Sequence, residues 1–222
     1  MAFIVNTAFA RFLPQVENNI LILHFTGWIV VLATMIALAP SKASAEDVFA
    51  VFANGGGYQT QGLSFFVGTV SAVYAFIGAD GAVHMAEEIK HASSVVPWGL
   101  MGSIIINGVL GFSMLIATLF CMGPIDKALK STTGFPFLEI LRFATGSLAG
   151  ADGLASIIIA LFVSCTIAVY ASTSRMMWSF ARDLGLPGSR FLSRVEPRTK
   201  LPMWSLIATG TITSLLSLIA IG

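Results

Sequence analysis

Asp80 is the residue whose surroundings most invite chemistry. It stands in Phe76-Ile77-Gly78-Ala79-Asp80-Gly81-Ala82, toward the far end of an otherwise apolar stretch at about 62–86. An ionisable group at membrane depth costs about 3 kcal/mol unless it faces a cavity, a partner or a transport path. Gly78, Ala79, Gly81 and Ala82 form a composition in which a helix unwinds and offers backbone groups to a ligand; a bilayer tolerates this only where the backbone lines a protein cavity. The structural alternative is a helix that ends early, with Asp80 capping the next one near the headgroups. His84 and Glu88, four residues apart, would share a helix face and are metal-ligand types. A third ligand is lacking nearby, so a helix end entering the interface is the plainer reading, and no metal is expected. His24, seven residues into the stretch 18–40, carries an imidazole that exchanges a proton near neutral pH. It reads as a proton carrier or as a histidine hydrogen-bonded to a neighbouring helix.

Enzymatic signatures are absent from the sequence. There is no Gly-x-x-x-x-Gly-Lys-Ser/Thr, no His-Glu-x-x-His, no Gly-x-Ser-x-Gly and no cysteine pair at metal spacing. Cys121 and Cys165 each lie inside an apolar run, where a thiol acts as a small hydrophobe. Neither enzyme activity nor a cofactor is expected.

The elements that must position these residues belong in lipid. Of 222 residues, 56% are hydrophobic and 10% charged, against about 25% charged in a soluble domain. Twelve basic and eleven acidic residues leave a net charge of +1, without the basic stripe that nucleic-acid binding requires. A helix needs roughly 20 mostly apolar residues to cross the hydrocarbon core. Uncharged runs of 24, 34, 22 and 22 residues follow Glu17, His91, Asp152 and Lys200. With the irregular stretch around Asp80 they predict an all-α integral membrane domain over 1–222, with five transmembrane helices at about 18–40, 62–86, 97–122, 153–174 and 203–222.

Basic residues set the orientation, because Lys and Arg stay on the cytoplasmic side. One side holds Arg11, Lys90, Arg175, Arg182, Arg190, Arg194, Arg198 and Lys200; the other holds Lys42, Lys127, Lys130 and Arg142. The N-terminus is therefore expected inside and the C-terminus outside. Met1 to Ala10 lacks the features of a signal peptide, so the first span is not expected to be removed. Asn54-Gly55-Gly56-Gly57 places 53–62 in a loop. Phe137, Leu138, Ile140, Leu141 and Phe143, interleaved with Glu139 and Arg142, predict a short amphipathic helix at the membrane surface. Ser164, Cys165, Thr166, Ala168 and Ser172 are small or hydroxyl-bearing, and the last two share a face suited to close helix approach. Asn107 reads as a polar group bonded to another helix.

Four stretches carry a resemblance. They are Phe76 through Ile89, with Val95-Val96-Pro97 and Ile106-Asn107-Gly108, and then Ala171-Ser172-Thr173-Ser174-Arg175-Met176-Met177-Trp178 running on to Pro187. The chain resembles fungal amino acid permeases of the amino acid, polyamine and organocation transporters, in the branch that includes 4-aminobutyrate and choline permeases. The first span here looks like the family's fifth and the last like its ninth. The resemblance implies a partial chain, a piece of a leucine-transporter-like inverted-repeat fold of about twelve spans, with one discontinuous helix.

It also implies transport of amino acids or related amines, coupled to protons, across the plasma or vacuolar membrane. Phe76, Ile77, Gly78, Ala79 and Asp80 would form the unwound substrate-binding segment, with the Phe76 ring as a wall able to attract a cation. His24 and Asp80 are the candidates for proton coupling, since a titratable group on the fifth span can stand in for a sodium ion. Glu87 and Glu88 against Arg175 and Arg182 are the candidate cytoplasmic gate, beside the simpler reading of ordinary positive-inside charge. The expected partners are the substrate, protons and the lipid bilayer. The alternative function is a truncated, non-transporting fragment that only associates with a full-length permease.

Overall fold

A computed structural model describes residues 1–52, 54–84, 86, 89–131 and 133–221, the side chains of Ala220 and Ile221 apart. All regular structure among these residues is helical. The elements are α1 (Ala2–Ala8), a 3-10 turn at Ala10–Phe12, α2 (Leu13–Leu38), α3 (Ala45–Phe49), α4 (Gln61–Val73) with a 3-10 turn at Tyr74–Phe76, α5 (Gly81–His84), α6 (Ala92–Cys121), α7 (Ile125–Leu129), α8 (Pro136–Thr145), α9 (Leu148–Arg182), α10 (Ser189–Leu192) and α11 (Met203–Ile221). Among the described residues three stretches are long and apolar enough to cross a membrane: Ala10–Leu38, Ala92–Cys121 and Leu148–Arg182. Gln61–Phe76 and Met203–Ile219 are apolar but shorter.

Helix ends depart from the charge-free runs because capping, not charge, stops a helix. The Ser147 hydroxyl accepts from the Gly150 amide at 3.3 Å, so α9 begins ahead of Asp152 and not at 153. Its far end passes Arg175 and closes in a Schellman turn: the Gly185 amide donates to the Phe180 carbonyl at 2.9 Å and the Leu184 amide to that of Ala181 at 3.1 Å, with Leu184 left-handed at φ 60°. The α6 helix starts at Ala92, taking Pro97 inside, and not at 97. The expected loop 53–62, whose Ala53 lies outside the described residues, ends at Thr60. There the hydroxyl accepts from the Leu63 amide at 3.2 Å and starts α4. Gly57 turns the loop at φ 66°, its amide donating to the Asn54 carbonyl at 3.2 Å.

Contacts divide the chain into two compact units, one comprising Met1–Leu21, Gly78–Leu100 and Phe162–Gly222, the other Ile22–Ile77 and Met101–Leu161. In the second, Val31, Met35, Cys121, Leu141, Ala144, Ala151, Leu154 and Ala155 are buried together. The expected amphipathic helix is α8, and its Leu141 and Ala144 enter this core. Gly27 lets α2 approach α9: a Cβ there would sit 2.7 Å from Ile157 Cγ2. The Trp28 indole N–H donates to the Leu110 carbonyl at 3.1 Å and ties α2 to α6.

In the first unit, polar groups make the ties. The buried Asn6 amide donates to the Ala2 and Ile167 carbonyls at 3.0 and 3.1 Å, holding α1 against α9. The Tyr170 hydroxyl donates to the Leu206 carbonyl at 2.5 Å, and the Ser205 hydroxyl to that of Leu192 at 2.9 Å, both reaching α11 or leaving it. The Trp178 indole donates to the Ser193 carbonyl at 3.1 Å.

Candidate functional site

The segment read as unwound is a break in the helical backbone. After the 3-10 turn at Tyr74–Phe76, Ile77 is extended at φ −62° and ψ 134°, and Gly78 lies at φ 90°. Such a φ is strained for a residue with a Cβ and accessible to glycine, so Gly78 is what permits the break. Helical bonding resumes when the Gly81 amide donates to the Gly78 carbonyl at 3.1 Å and the Val83 amide to that of Asp80 at 2.9 Å. Residues 77–80 therefore lack the continuous i→i−4 ladder, as the composition led us to expect.

The boundary between the two units falls within this break. Phe76 and Ile77 belong to one unit, and Gly78, Ala79 and Asp80 to the other. On its side, Phe76 lies with its ring 3.7 Å from where a Cβ on Gly108 would be, and Ala75 is 3.6 Å from the matching position on Gly111. Two glycines three apart on α6 thus receive the end of the α4 segment. On the other side, Gly81 meets α9, where a Cβ would stand 3.2 Å from the Ser172 hydroxyl. This is the close approach expected of the Ala168/Ser172 face.

Asp80 Oδ2 lies 3.0 Å from His84 Nε2, one turn along α5. The Glu88 that shares the i,i+4 spacing with His84, weighed as a metal-ligand type and set aside for a plain helix end, lies outside the described residues. The 80/84 spacing was an equally visible i,i+4 signal that the metal reading passed over. The Asp80 backbone carbonyl accepts the first amides of α5, while its carboxylate turns to His84. A carboxylate and an imidazole at this distance can share one proton, and the Asp80 side chain is 71% exposed.

His24 opens onto a cavity of about 300 Å³, lined also by Gly27, Trp28, Ala75, Asn107 and Gly111. Its ring stands edge-on to Phe25 with centroids 6.0 Å apart, and no hydrogen bond from it is found among the described residues. The Asn107 amide donates to the Ser103 hydroxyl at 3.2 Å, so its bond lies within α6 and not across to another helix as expected. The spacing 103/107 already allowed that bond, because hydroxyl and amide one turn apart share a face.

Of the candidate gate, Glu87 and Glu88 lie outside the described residues. Arg175 and Arg182 stand on α9 itself, seven residues apart, and not in a loop. Arg182 Nε is 3.6 Å from Asp183 Oδ1, and its guanidinium lies 5.2 Å from the Trp178 ring centre. Both cysteines are free, Cys121 buried and Cys165 exposed.

Comparison with known proteins decides the family, since the model of the amino acid permease family matches residues 1–222. The chain belongs to the amino acid permease family. It is an integral membrane protein. A choline transporter of Saccharomyces cerevisiae is 35% identical over 88% of this permease chain and 35% of its own length. A swainsonine transporter of Arthroderma benhamiae is 31% identical over 85% of the chain and 36% of its own length. The GABA-specific permease of Saccharomyces cerevisiae is 30% identical over 69% of the chain and 27% of its own length. The chain thus spans about a third of the length of these relatives. No solved structure matches it.

Proposed function

We propose that these residues form part of a secondary transporter for amino acids or related amines such as 4-aminobutyrate and choline, coupled to protons. The observation that carries this reading is the helix break at 77–80 in a chain with long apolar helices. Freed backbone groups there would meet the polar ends of a substrate, and helix ends would add partial charges. Relatives named for choline and GABA support an amine-bearing solute, and transporter names point away from enzyme activity. In this reading Phe76 is a wall of the site, Ile77, Gly78 and Ala79 supply backbone groups, and Asp80 attracts the ammonium. His24 and the Asp80–His84 pair are the proton-binding groups. Glu87 or Glu88 meets Arg175 or Arg182 at the inner gate, and five spans form one piece of an inverted-repeat fold in the plasma or vacuolar membrane. The basic residues favour a cytoplasmic 183–202 segment. Glycosylation of an acceptor sequence engineered into that segment would overturn this assignment of orientation.

The deciding experiment is uptake per surface molecule in the complete permease. Asp80→Asn keeps size and hydrogen bonding but loses the charge, so uptake of a cationic amine falls at least about tenfold, or 1.4 kcal/mol. Asp80→Ala falls as far, with the protein still at the surface. Normal specific uptake by Asp80→Asn would remove Asp80 from the site and leave it as a helix-terminal residue.

A further inference from the structure

The segment from Ser189 to Trp204, between α9 and α11, has a composition and geometry that the transport reading does not use. It carries Arg190, Arg194, Arg198 and Lys200 against Glu196. Among the described residues none of these four cations is salt-bridged, and Glu196 has no cationic partner either. All four are exposed.

The segment is held in shape by its own backbone. The Lys200 amide donates to the Glu196 carbonyl at 2.8 Å and the Glu196 amide to that of Leu201 at 2.9 Å, a closed loop that Lys200 completes at φ 55°. Two large aromatics flank it. The Phe191 and Trp204 ring centres are 6.4 Å apart, edge to face, and Arg194 lies 5.1 Å from the Phe191 ring centre. Trp204 remains 51% exposed and Phe191 55%. Beside Trp204 a recess of about 340 Å³ is lined by Arg194, Glu196, Pro197, Met203 and Trp204.

Position determines what can fill it. The long apolar helix α9 ends at Arg182 and the apolar α11 begins at Met203, so the intervening segment lies where the hydrocarbon meets water. Exposed Trp and Phe beside unpaired Arg and Lys are the side chains that settle at headgroup depth, the ring against acyl chains and the cation against phosphate. A basic cluster there is attracted to anionic lipid. We propose that Arg194, Arg198 and Lys200, with Phe191 and Trp204 as the apolar rim, form a binding site for the headgroup of an anionic phospholipid. The carboxylate of Glu196 in the same recess favours a headgroup that also carries an ammonium, and phosphatidylserine meets both demands. The site holds for either orientation of the chain and does not depend on the substrate.

The test counts lipid bound to the purified chain in neutral detergent by native mass spectrometry, with phosphatidylserine and phosphatidylcholine of equal chain length. Phosphatidylserine is expected to bind at least tenfold more tightly. R194Q/R198Q/K200Q should bring the two lipids level, while K42Q/K127Q/K130Q, which removes as many charges elsewhere, should keep the preference. F191A/W204A should weaken both lipids, because it takes away the apolar rim. Helix content by circular dichroism confirms that each variant is folded, as substitution of exposed side chains allows. Equal affinities in the unaltered chain, or a preference that survives R194Q/R198Q/K200Q, would overturn the proposal. Displacement of phosphatidylserine by millimolar inorganic phosphate would also overturn it, by marking a free-anion site in place of a lipid site.

Discussion

Both units of this permease chain bury apolar side chains, but among the described residues only one also buries polar ones. All five buried polar residues among those described, Asn6, Ser174, Ser189, Ser205 and Thr209, lie in the unit of residues 1–21, 78–100 and 162–222. The unit of 22–77 and 101–161 buries Val31, Met35, Leu141, Leu154 and small residues around them. The contrast teaches how helices associate in lipid. Apolar side chains gain little transfer energy when lipid tails surround the unpacked state, so tight packing and side-chain hydrogen bonds to backbone must do the holding. The unit of 22–77 and 101–161 shows mainly the first device, and the unit of 1–21, 78–100 and 162–222 shows both. The polar unit includes Gly78, Ala79 and Asp80 and the paired His84, so the part of the break that carries charge belongs to the unit fastened by directional bonds.

The largest effect that would break this comparison comes from the apolar unit. Met35 is 2% exposed within its core, and Met35→Ala leaves a void that neighbours fill only in part. A loss of about 2 kcal/mol is expected, less than in a water-soluble core because only the cavity term applies fully. Unfolding by SDS titration in mixed micelles, followed by helix content, measures it. A loss below about 0.5 kcal/mol, on the scale of an exposed substitution, would show that this core is not tightly packed.

A smaller effect tests the polar unit. Tyr170→Phe removes the hydroxyl that donates to the Leu206 carbonyl, and a loss of about 1 kcal/mol is expected for one interhelical bond. That hydroxyl also stands 2.7 Å from where a Cβ on Gly210 would be. Gly210→Ala should therefore destabilise the unaltered chain and cost less in the Tyr170→Phe background. Additive effects in this double-mutant cycle would mean that hydroxyl and glycine do not share the space.

The smallest effect runs the other way. Leu184 is left-handed at φ 60° in the turn that ends α9, a conformation that costs a residue with a Cβ roughly 1 kcal/mol. Leu184→Gly should raise the melting temperature in detergent, since Leu184 is 79% exposed and its side chain contributes little packing. A lower melting temperature would show that the leucine makes a contact worth more than the strain.

The break around Asp80 was legible from Gly78, Gly81 and the neighbouring alanines because unwinding is a local backbone preference. The apolar runs were legible because lipid imposes one composition along the whole length of a helix. Ends were read less well: Ser147 and the Leu184-Gly185 turn set the limits of α9, and caps act through geometry that charge spacing does not encode. The partner of His84 was missed for a related reason. Asp80 and Glu88 both stand four residues from it, and spacing alone ranks them equally.

By itself, then, the sequence determined what this chain is made of: long apolar helices, a glycine-bearing interruption, a basic segment before the last helix, and the motifs of its family. Each of these depends on neighbours along the chain. Only the tertiary structure decided that His24 and Asn107 line one cavity, that Phe76 rests against Gly108, that Gly81 meets Ser172, and that Asn6 fastens α1 to α9. Those pairings join residues from 32 to 161 positions apart by their numbers. Their physical basis is the fit of one helix surface against another, a property of shapes in three dimensions that spacing along a single helix does not carry.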